Sequence, residues 1–407
     1  MTRIDAEGAR RLAWLALWIY LAGLGLSAIL RVQGDFFVYY RTGHRVLHGL
    51  AIYPPDESDR FLYAPIFAIA FAPFALLPRH AAQGLWFVFN AWGLIAFIIG
   101  AGVMLFGRSR QLSAALVAVP IALLFRLIGN NIEHGQINLP VLALCVWSIV
   151  YAREERPKWS GTMIAAAVLI KPFAVLAAIY LALRRNWAAL AWAIVAGAML
   201  FVLPVIVFGP RGLVEQTVAY LRSVASMTER YRTMLTNQSA VAAVARLTVR
   251  FGDEATADGA APFWIGMAFE AALVAVASLW ILRSRPADDG DRIAADRYAL
   301  AGLFCLMGGF APISWKSYFA ALVVPYLLLV DELWKNRTES RLAWALFIAS
   351  AALNFAPGRY LNRVALFYSA HLLSSILALG TVAVLSLGKH GPQIASHEIS
   401  AQATHAS

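Results

Sequence analysis

Residues 12–30 read LAWLALWIYLAGLGLSAIL, an apolar run in which no side chain carries a charge. Arg3, Arg10 and Arg11 precede this run, and no small-residue cleavage site of a signal peptide is evident after it. A helix needs about 20 apolar residues to cross a bilayer. The run therefore predicts an uncleaved first membrane-spanning helix with the N-terminus on the cytoplasmic side.

The composition of the whole chain indicates a polytopic membrane protein. Of its 407 residues, 60% are hydrophobic and only 14% are charged, against about 25% charged residues in a typical soluble domain. The net charge of +11 does not indicate nucleic-acid binding, because the basic residues are scattered through short connectors, as is typical of membrane topology. Cys145 and Cys305 both lie in apolar runs, which argues against a disulfide framework or a thiolate metal site.

Further apolar runs predict an all-α, polytopic integral membrane protein with about twelve transmembrane segments. The predicted segments are 12–30, 62–78, 82–106, 112–128, 137–153, 160–183, 188–208, 262–283, 297–313, 318–333, 341–356 and 362–387. They predict one transmembrane domain over 1–388, with short amphipathic helices in its extracytoplasmic loops. A polar cytoplasmic tail without stable structure is expected over 389–407.

Positive charge assigns the loops to the two sides of the membrane, with one conflict. The connectors predicted to be cytoplasmic are 153–158, 184–185, 283–297 and 335–341. The loop 31–61 then faces the extracytoplasmic side. If every predicted segment crossed the membrane once, 153–158 would lie outside, although its positive charge assigns it to the cytoplasm. The conflict disappears if 62–106 crosses once and 160–183 is a hairpin bent at Lys171-Pro172. The topology of 62–183 stays open between these alternatives.

The connector 209–261 differs from the other loops because it mixes arginines with apolar residues without forming a continuous span. An amphipathic, arginine-rich stretch of this kind can lie in the headgroup plane of a bilayer. Two interpretations stay open. The connector is either a surface helix that faces anionic lipid or a lid over a site that binds a lipid phosphate.

The loop after the first span carries a lone carboxylate at membrane-interface depth. Asp35 follows the span directly, and Tyr39, Tyr40, Tyr53 and Tyr63 come after it in a segment punctuated by Gly and Pro. A carboxylate at that depth is costly unless it is paired or functional. We therefore predict that Asp35 is a catalytic base, although a first-turn acid stabilised by a helix dipole would also explain it.

Several other polar residues lie inside or at the ends of apolar segments, where they are functional-site candidates by default. They are Gln136 and Asn138, Lys171, Asn237-Gln238-Ser239, Ser314, Lys316, Tyr318, Arg359 and Arg363. Each also has a structural explanation, because amides can join helices, Asn and Ser can cap them, and long cationic side chains can reach the interface. Together, a carboxylate, cations, amides and tyrosines suit an anionic lipid and a hydroxylated partner.

These motifs occur in an order that resembles a known family. They are the acid after the first span, Tyr39-Tyr40, His48-Gly49, Tyr53, Phe61-Leu62-Tyr63-Ala64-Pro65, Gly135-Gln136-Ile137-Asn138, Lys171-Pro172, Asn237-Gln238-Ser239 and Pro312-Ile313-Ser314-Trp315. The set resembles glycosyltransferase family 87 of the GT-C superfamily, which includes mycobacterial polyprenol-phosphate-mannose-dependent mannosyltransferases. The resemblance covers nearly the whole chain. The sequence departs from the family where Lys316-Ser317-Tyr318 replace an acid and histidines, which leaves the acceptor and the sugar open.

The resemblance implies a multi-pass enzyme of the inner (plasma) membrane with an extracytoplasmic active site. It would move a hexose, mannose in the family pattern, from a polyprenyl-phosphate carrier to a lipid or glycan acceptor, with inversion. Asp35 matches the family's general base. The predicted substrate-binding residues are Tyr39, Tyr40, Tyr63, Gln136, Asn138, Lys171, Asn237, Gln238, Ser314, Lys316, Tyr318 and Arg359. The expected partners are the donor, the acceptor and membrane lipids; no cofactor, metal or nucleic acid is expected.

The chemistry of such a transfer agrees with the residues themselves. A base must accept the proton of the acceptor hydroxyl, and cations must stabilise the charge that gathers on the leaving phosphate. Tyrosines such as Tyr39 and Tyr63 can stack on a sugar ring. The alternative function is a secondary transporter or lipid-linked sugar flippase, which predicts two related halves. The sequence has no clear internal repeat, so the enzyme is the favoured interpretation.

Overall fold

A computed structural model describes residues 6–30, 34–57, 59–249, 251, 260–283, 292–335, 340–356 and 358–404. Within these ranges every regular element is helical, which confirms the predicted all-α class. The helices are α1 (Ala6–Leu30), α2 (Gly34–Leu47), α3 (Pro65–Ala75), α4 (Arg79–Phe106), α5 (Ala114–Leu123), α6 (Phe125–His134), α7 (Asn138–Arg153), α8 (Pro157–Ile170), α9 (Val175–Leu183), α10 (Trp187–Val202), α11 (Val205–Arg230), α12 (Ala240–Leu247), α13 (Ala260–Arg283), α14 (Arg292–Met307), α15 (Val323–Val330), α16 (Arg341–Leu353), α17 (Arg359–Phe367) and α18 (Ala370–Thr404). Short 3₁₀ helices cover Pro172–Ala174 and Lys316–Leu322, and a π-helical turn covers Asp331–Lys335.

Four of the described helical segments are long and apolar enough to cross a membrane. They are Arg79–Phe106, Phe263–Arg283, Lys316–Trp334 and Ala370–Leu387. Two bent pairs, α5 with α6 at 70° and α10 with α11 at 89°, raise the number to six if each pair is one span. Other predicted segments do form helices but are short: α3 has 11 residues, against about 20 needed to cross. The count of about twelve crossings stays a prediction, as does the single domain over 1–388.

The predicted break at Lys171-Pro172 is present. Helix α8 ends at Ile170, Lys171 has an extended backbone with φ of −139° and ψ of 117°, and Pro172 begins the 3₁₀ turn that leads into α9. Proline has no N–H to donate and disfavours helical φ/ψ at the residue before it. The chain therefore carries a cation at the junction of two helices.

The connector 209–261 contains the amphipathic helix that its sequence predicts. After α10 the chain bends at Gly209, whose φ of 69° is one that glycine adopts readily. The helix that follows has one exposed apolar face, at Val214, Val218 and Leu221, and its opposite face lines the cavities described below. Both interpretations of the connector therefore fit this one helix. Residues 250 and 252–259 of the connector lie outside the described ones.

Two predicted loop or tail segments contain helix. The loop 31–61 begins, after 31–33 which are outside the described residues, with α2, and Asp35 lies in its first turn. Helix α2 is not among the candidate membrane-spanning helices. The tail predicted over 389–407 falls on the end of α18 and on 405–407, which the structure does not describe.

The two ends of α7 carry different chemistry. Asn138 begins the helix, and Arg153 ends it. Arg153 pairs with Asp296 at 3.1 Å, and the same carboxylate accepts a hydrogen bond from Tyr180 at 2.6 Å and pairs with Arg184. A helix of 16 residues is about 24 Å long. Arg153 and Arg184, which belong to two of the connectors predicted to be cytoplasmic, therefore lie at the opposite end of α7 from Asn138.

Candidate active site

Two open cavities adjoin at the first turn of α2. The larger, cavity A, has a volume of about 1260 Å³, and cavity B has a volume of about 770 Å³. Both are lined by Asp35, Val38, Arg60, Leu62 and Trp315. A carboxylate and a guanidinium group therefore stand where the two cavities meet.

The two cavities differ in character. The polar side chains found only in cavity A are Asp59, Asn130, His134, Gln136, Tyr231, Thr236, Lys316 and Asn362. Those found only in cavity B are Tyr39, Tyr63, Lys171, Tyr220, Thr228 and Tyr318, and its other lining residues are Ile170, Pro172, Val224, Ala311, Pro312 and Ile313. Cavity A thus offers varied hydrogen-bonding groups, whereas cavity B combines aromatic and aliphatic walls with a lysine.

The Asp35 carboxyl is surrounded by protein but opens to both cavities. Its Oδ2 accepts a hydrogen bond of 2.9 Å from Nε2 of Gln136. Burial raises the pKa of Asp35 above its ordinary value, while the charge of Lys171 and the hydrogen bond from Gln136 act in the opposite direction. A carboxyl that is harder to ionise than usual is a stronger base once ionised, which suits proton abstraction.

Lys171 lies among tyrosines on the wall of cavity B. Its Nζ donates a hydrogen bond of 2.7 Å to the hydroxyl of Tyr318. The ammonium group also sits 4.5 Å from the ring centroid of Tyr318 and 4.7 Å from that of Tyr63. Tyr63 in turn shares a hydrogen bond of 2.6 Å with Tyr39. Cation–π contacts hold the ammonium group while leaving it able to contact an anion in the cavity.

Arg60 is the cation that both cavities share. Its Nη1 donates a hydrogen bond of 2.5 Å to Ser226 on α11, and its Nε donates to the carbonyl oxygen of Glu57 at 3.3 Å. These contacts tie the loop before α3 to the helix that covers the cavities. Arg60 is not among the residues predicted from the sequence, although it directly precedes the Phe61-Leu62-Tyr63 motif.

The structure brings many of the predicted site residues together. The predicted residues that line one or both cavities are Asp35, Tyr39, Tyr63, Gln136, Lys171, Lys316 and Tyr318. Three others point elsewhere: Tyr40 donates to the carbonyl oxygen of Leu77 at 2.7 Å, Arg359 is exposed at the start of α17, and Asn138 is fully buried behind Gln136. Asp59 and Asn362 also line cavity A but were not predicted. Asp59 lies in an ordinary polar loop, and no pattern in the sequence brings α17, which carries Asn362, to the cavity.

Asn237, Gln238 and Ser314 connect two loops behind cavity A instead of lining it. Asn237 Nδ2 donates to the carbonyl oxygen of Pro312 at 2.9 Å, and its Oδ1 accepts from the backbone N–H of Ser314 at 2.9 Å. Gln238 Nε2 donates to the carbonyl oxygen of Leu366 at 2.8 Å. Their predicted contact with substrate stays a prediction, and the hydrogen bonds support a structural role.

Metal ligands are not grouped in the part of the chain that the structure describes. No three His, Cys, Asp or Glu side chains there stand close enough together to hold a metal ion. Metal independence of the reaction stays a prediction.

Comparison with known proteins identifies the family. The model of glycosyltransferase family 87 matches residues 61–308, which is more than half of the chain. This chain belongs to glycosyltransferase family 87. The resemblance inferred from the sequence is thereby confirmed, and the family 87 protein described here is a glycosyltransferase.

Individual relatives of this family 87 enzyme have related activities. It is 25% identical to a polyprenol-phosphate-mannose-dependent alpha-(1-2)-phosphatidylinositol mannoside mannosyltransferase of Mycobacterium tuberculosis, over 82% of this chain and 80% of the relative. It is 27% identical to an alpha-(1->3)-arabinofuranosyltransferase of Corynebacterium glutamicum, over 39% of each. No solved structure matches the chain at a significant level.

Proposed function

We propose that this family 87 enzyme moves a hexose, mannose, from a polyprenyl-phosphate carrier to a lipid or glycan acceptor, with Asp35 as general base. The observation that carries the proposal is the position of Asp35 between two cavities of different character. A base between donor and acceptor can reach the acceptor hydroxyl at the moment when it attacks the sugar.

The donor occupies cavity B in this proposal. Lys171 and Arg60 line that cavity and supply two positive charges for the phosphate. Its aliphatic wall suits the isoprenoid chain that adjoins the phosphate, and Tyr39 and Tyr63 offer aromatic faces and hydroxyls to the sugar.

The acceptor occupies cavity A. Asn130, Gln136 and Asn362 offer amides to its hydroxyl groups, and Lys316 offers a cation to a phosphate or hydroxyl. The relative from Mycobacterium tuberculosis bears a name that includes a polyprenol-phosphate-mannose donor and a phosphatidylinositol mannoside acceptor, which supports a lipid-linked donor and a phosphate-bearing acceptor here.

The reaction then proceeds by in-line displacement. Asp35 takes the proton of the acceptor hydroxyl as the hydroxyl oxygen bonds to the anomeric carbon. The bond from that carbon to the phosphate oxygen breaks, and its electron pair stays on the phosphate, whose charge Lys171 and Arg60 stabilise. Because acceptor and phosphate lie on opposite sides of the sugar, the anomeric configuration inverts. Asp35 afterwards releases the proton to water.

The active site faces the extracytoplasmic side of the inner membrane in this proposal. The arginine cluster at the far end of α7, which includes Arg153 and Arg184, suits the cytoplasmic side by the positive-inside rule. Asp35 and both cavities lie toward the Asn138 end of the same helix.

The activity is tested with enzyme purified in detergent and incubated with radiolabelled polyprenyl-phosphate mannose and a membrane lipid extract. Labelled product from wild type but not from Asp35→Asn supports both the reaction and the base. If wild type leaves polyprenyl-phosphate mannose intact but transfers another sugar, such as a pentose, from the same kind of carrier, mannose is not the sugar. Intact donor with every sugar would overturn the proposed donor class.

We expect Lys316→Met to weaken use of the acceptor while leaving use of the donor unchanged. Lys316 lines cavity A only, so loss of its charge should raise the KM for the acceptor by about tenfold, the effect of one charged hydrogen bond. Steady-state kinetics with each substrate varied in turn measure the two KM values. Lys158→Met, which removes an exposed lysine at the start of α8, is the matched control. An increase in the donor KM alone would contradict the assignment of cavity A.

A further inference from the structure

The amide group of Gln136 is held by two donors at its oxygen end. Its Oε1 accepts a hydrogen bond of 2.7 Å from Nδ2 of Asn138 and another from the hydroxyl of Ser317. An amide whose oxygen faces donors must turn its NH₂ group the opposite way. That NH₂ group donates to Oδ2 of Asp35 at 2.9 Å.

A third amide anchors the two donors. Oδ1 of Asn131 accepts a hydrogen bond of 2.9 Å from Asn138, and Nδ2 of Asn131 donates to the carbonyl oxygen of Ser317 at 2.8 Å. Asn131, Asn138 and Ser317 are all fully buried, and none of them lines cavity A or cavity B. They come from α6, from α7 and from the 3₁₀ helix Lys316–Leu322.

This arrangement is unusual for a set of amides that serve only to join helices. Helix-joining amides need only find some partner, whereas here α7 and the 3₁₀ helix direct two donors to the oxygen of one further amide. Asn131 on α6 bonds to both of those donor residues. The network ends at the single carboxylate that both cavities share. Matched donors and acceptors in a buried network fix the arrangement of the groups they join. Here they fix the Gln136 amide, while Oδ1 of Asn138 has no hydrogen-bond partner among the described residues.

We propose that Asn131, Asn138 and Ser317 are positioning residues, which orient the Gln136 amide so that it holds Oδ2 of Asp35 and leaves Oδ1 free for the acceptor hydroxyl. The proposal rests on Asp35 being the base of the proposed transfer. It assigns to Asn138 a role behind the site, in place of the substrate contact that its sequence position predicts.

The orientation of the Gln136 amide affects both the position of the Asp35 carboxylate and the pH at which it ionises. A carboxylate that accepts a fixed N–H is held in one rotamer, and misplacement of a reacting group by about 1 Å can cost on the order of 10²-fold in rate. Burial raises the pKa of Asp35, and the charge of Lys171, the hydrogen bond from Gln136 and the charge of His134 lower it, while the charge of Asp59 raises it. Loss of the network should therefore reduce the rate and move the pH at which Asp35 ionises upward.

The test compares Ser317→Ala with Ser148→Ala. Ser148 is an equally buried serine on α7, where it donates to the carbonyl oxygen of Ser160 at 2.9 Å, far from Asp35. We expect Ser317→Ala to lower kcat by about tenfold, with both KM values within about twofold of wild type, because the lost bond acts on the base and not on either substrate. The acid limb of the kcat profile should move to higher pH. Ser148→Ala should change neither.

Two further variants keep the test decisive if Ser317→Ala folds poorly. Ser317→Thr retains the hydroxyl and should recover most of the rate, whereas Asn138→Ala removes the other donor and should reproduce the loss of kcat. A fall in stability without the shift in pH profile would mean a merely structural role and would overturn the proposal.

A measurement without turnover separates this proposal from the proposed function. Dicyclohexylcarbodiimide modifies protonated carboxyl groups, so labelling of Asp35 against pH, followed by peptide mass spectrometry, reports its ionisation. An upward shift in Ser317→Ala supports the network whatever the sugar donor is. If Ser317→Ala shows an unshifted labelling curve and an unchanged kcat, the proposed positioning role of the network is wrong. If Asp35→Asn remains active, Asp35 is not the base, and the proposed function fails instead.

Discussion

Replacing Asp35 by asparagine is expected to reduce sugar transfer by about 10²–10⁴-fold, the usual contribution of a general base. Asparagine keeps the shape of the side chain and can still accept the hydrogen bond from Gln136, so the loss isolates the proton-accepting role. Single-turnover rates with labelled donor measure the effect. The donor should still bind, since Asp35→Asn leaves Lys171 and Arg60 in place.

The pH dependence of the wild-type enzyme gives a second expectation for the same residue. Only the ionised carboxylate can take a proton, so the rate should rise with pH and level off once Asp35 is ionised. Burial raises the pKa of Asp35, and the acid limb should therefore lie above the ordinary range of an aspartate. Asp35→Asn should lose this limb from its residual activity.

The stability of Asp35→Asn separates function from folding. Because the fold raises the pKa of Asp35, the unfolded chain loses this proton first as pH rises, and stability falls from the unfolded pKa up to the folded pKa. Asparagine removes that cost above the unfolded pKa. The thermal midpoint of Asp35→Asn in detergent at neutral pH should therefore equal or exceed that of wild type.

The control for Asp35 is the other carboxylate of cavity A. Asp59→Asn makes the same chemical change within the same cavity but at a residue that does not line cavity B. It should cost less than about tenfold, since Asp59 does not reach the junction of donor and acceptor. If Asp59→Asn fell as far as Asp35→Asn, or if Asp35→Asn retained nearly full turnover, Asp35 would not be the base.

The features predicted best from sequence are those that depend on local chemistry. The apolar run 12–30 lies within α1, although its crossing of the membrane stays a prediction because α1 is not among the candidate spans. The break at Lys171-Pro172 follows from the geometry of proline. Asp35 stood out because a carboxylate near a membrane segment is costly, and it does lie where the two cavities meet. The number of membrane crossings does not depend on local chemistry alone, because a hydropathy run does not reveal where a helix bends.

The features that could not be predicted from the sequence are contacts between segments that are distant along the chain. Asn237 and Gln238 are polar residues in an apolar context, as substrate-binding residues are, yet their partners are backbone groups of neighbouring loops. Arg60 lies in an ordinary polar loop, and only the approach of α11 brings it to both cavities. Composition alone does not distinguish an amide that binds a substrate from one that binds a loop.

The segment Lys316-Ser317-Tyr318 departs from the family pattern, yet two of its residues line the cavities and the third bonds to Gln136 behind them. Lys316 lines cavity A, Ser317 bonds to Gln136, and Tyr318 accepts the hydrogen bond of Lys171 in cavity B. A 3₁₀ helix makes this possible, because its tighter turn directs three successive side chains to different sides. A change of sequence here therefore affects cavity A, the amide that bonds to Asp35, and cavity B together.

Replacing Lys171 by methionine is expected to raise the KM for the donor by about 10–100-fold, the effect of losing a charged contact to phosphate. Methionine fills a similar volume among Tyr63 and Tyr318, so the change removes mainly the charge. Binding of a polyprenyl phosphate without sugar, measured by titration calorimetry, should weaken to a similar extent. Lys158→Met, at the opposite end of α8, should leave both quantities unchanged.

Lys171→Met should also alter the pH at which Asp35 ionises. Replacement of a structural lysine farther from Asp35 would not have this effect. The charge of Lys171 lowers the pKa of Asp35, so Lys171→Met should raise that pKa and move the acid limb of kcat to higher pH. The two effects have different ranges, because the phosphate contact requires hydrogen-bond distance whereas the charge acts through space. A shifted pH limb with unchanged donor affinity would mean that Lys171 tunes Asp35 but does not bind phosphate. If neither quantity changed, the donor phosphate would have to bind elsewhere, and the assignment of the donor to cavity B would fail with it.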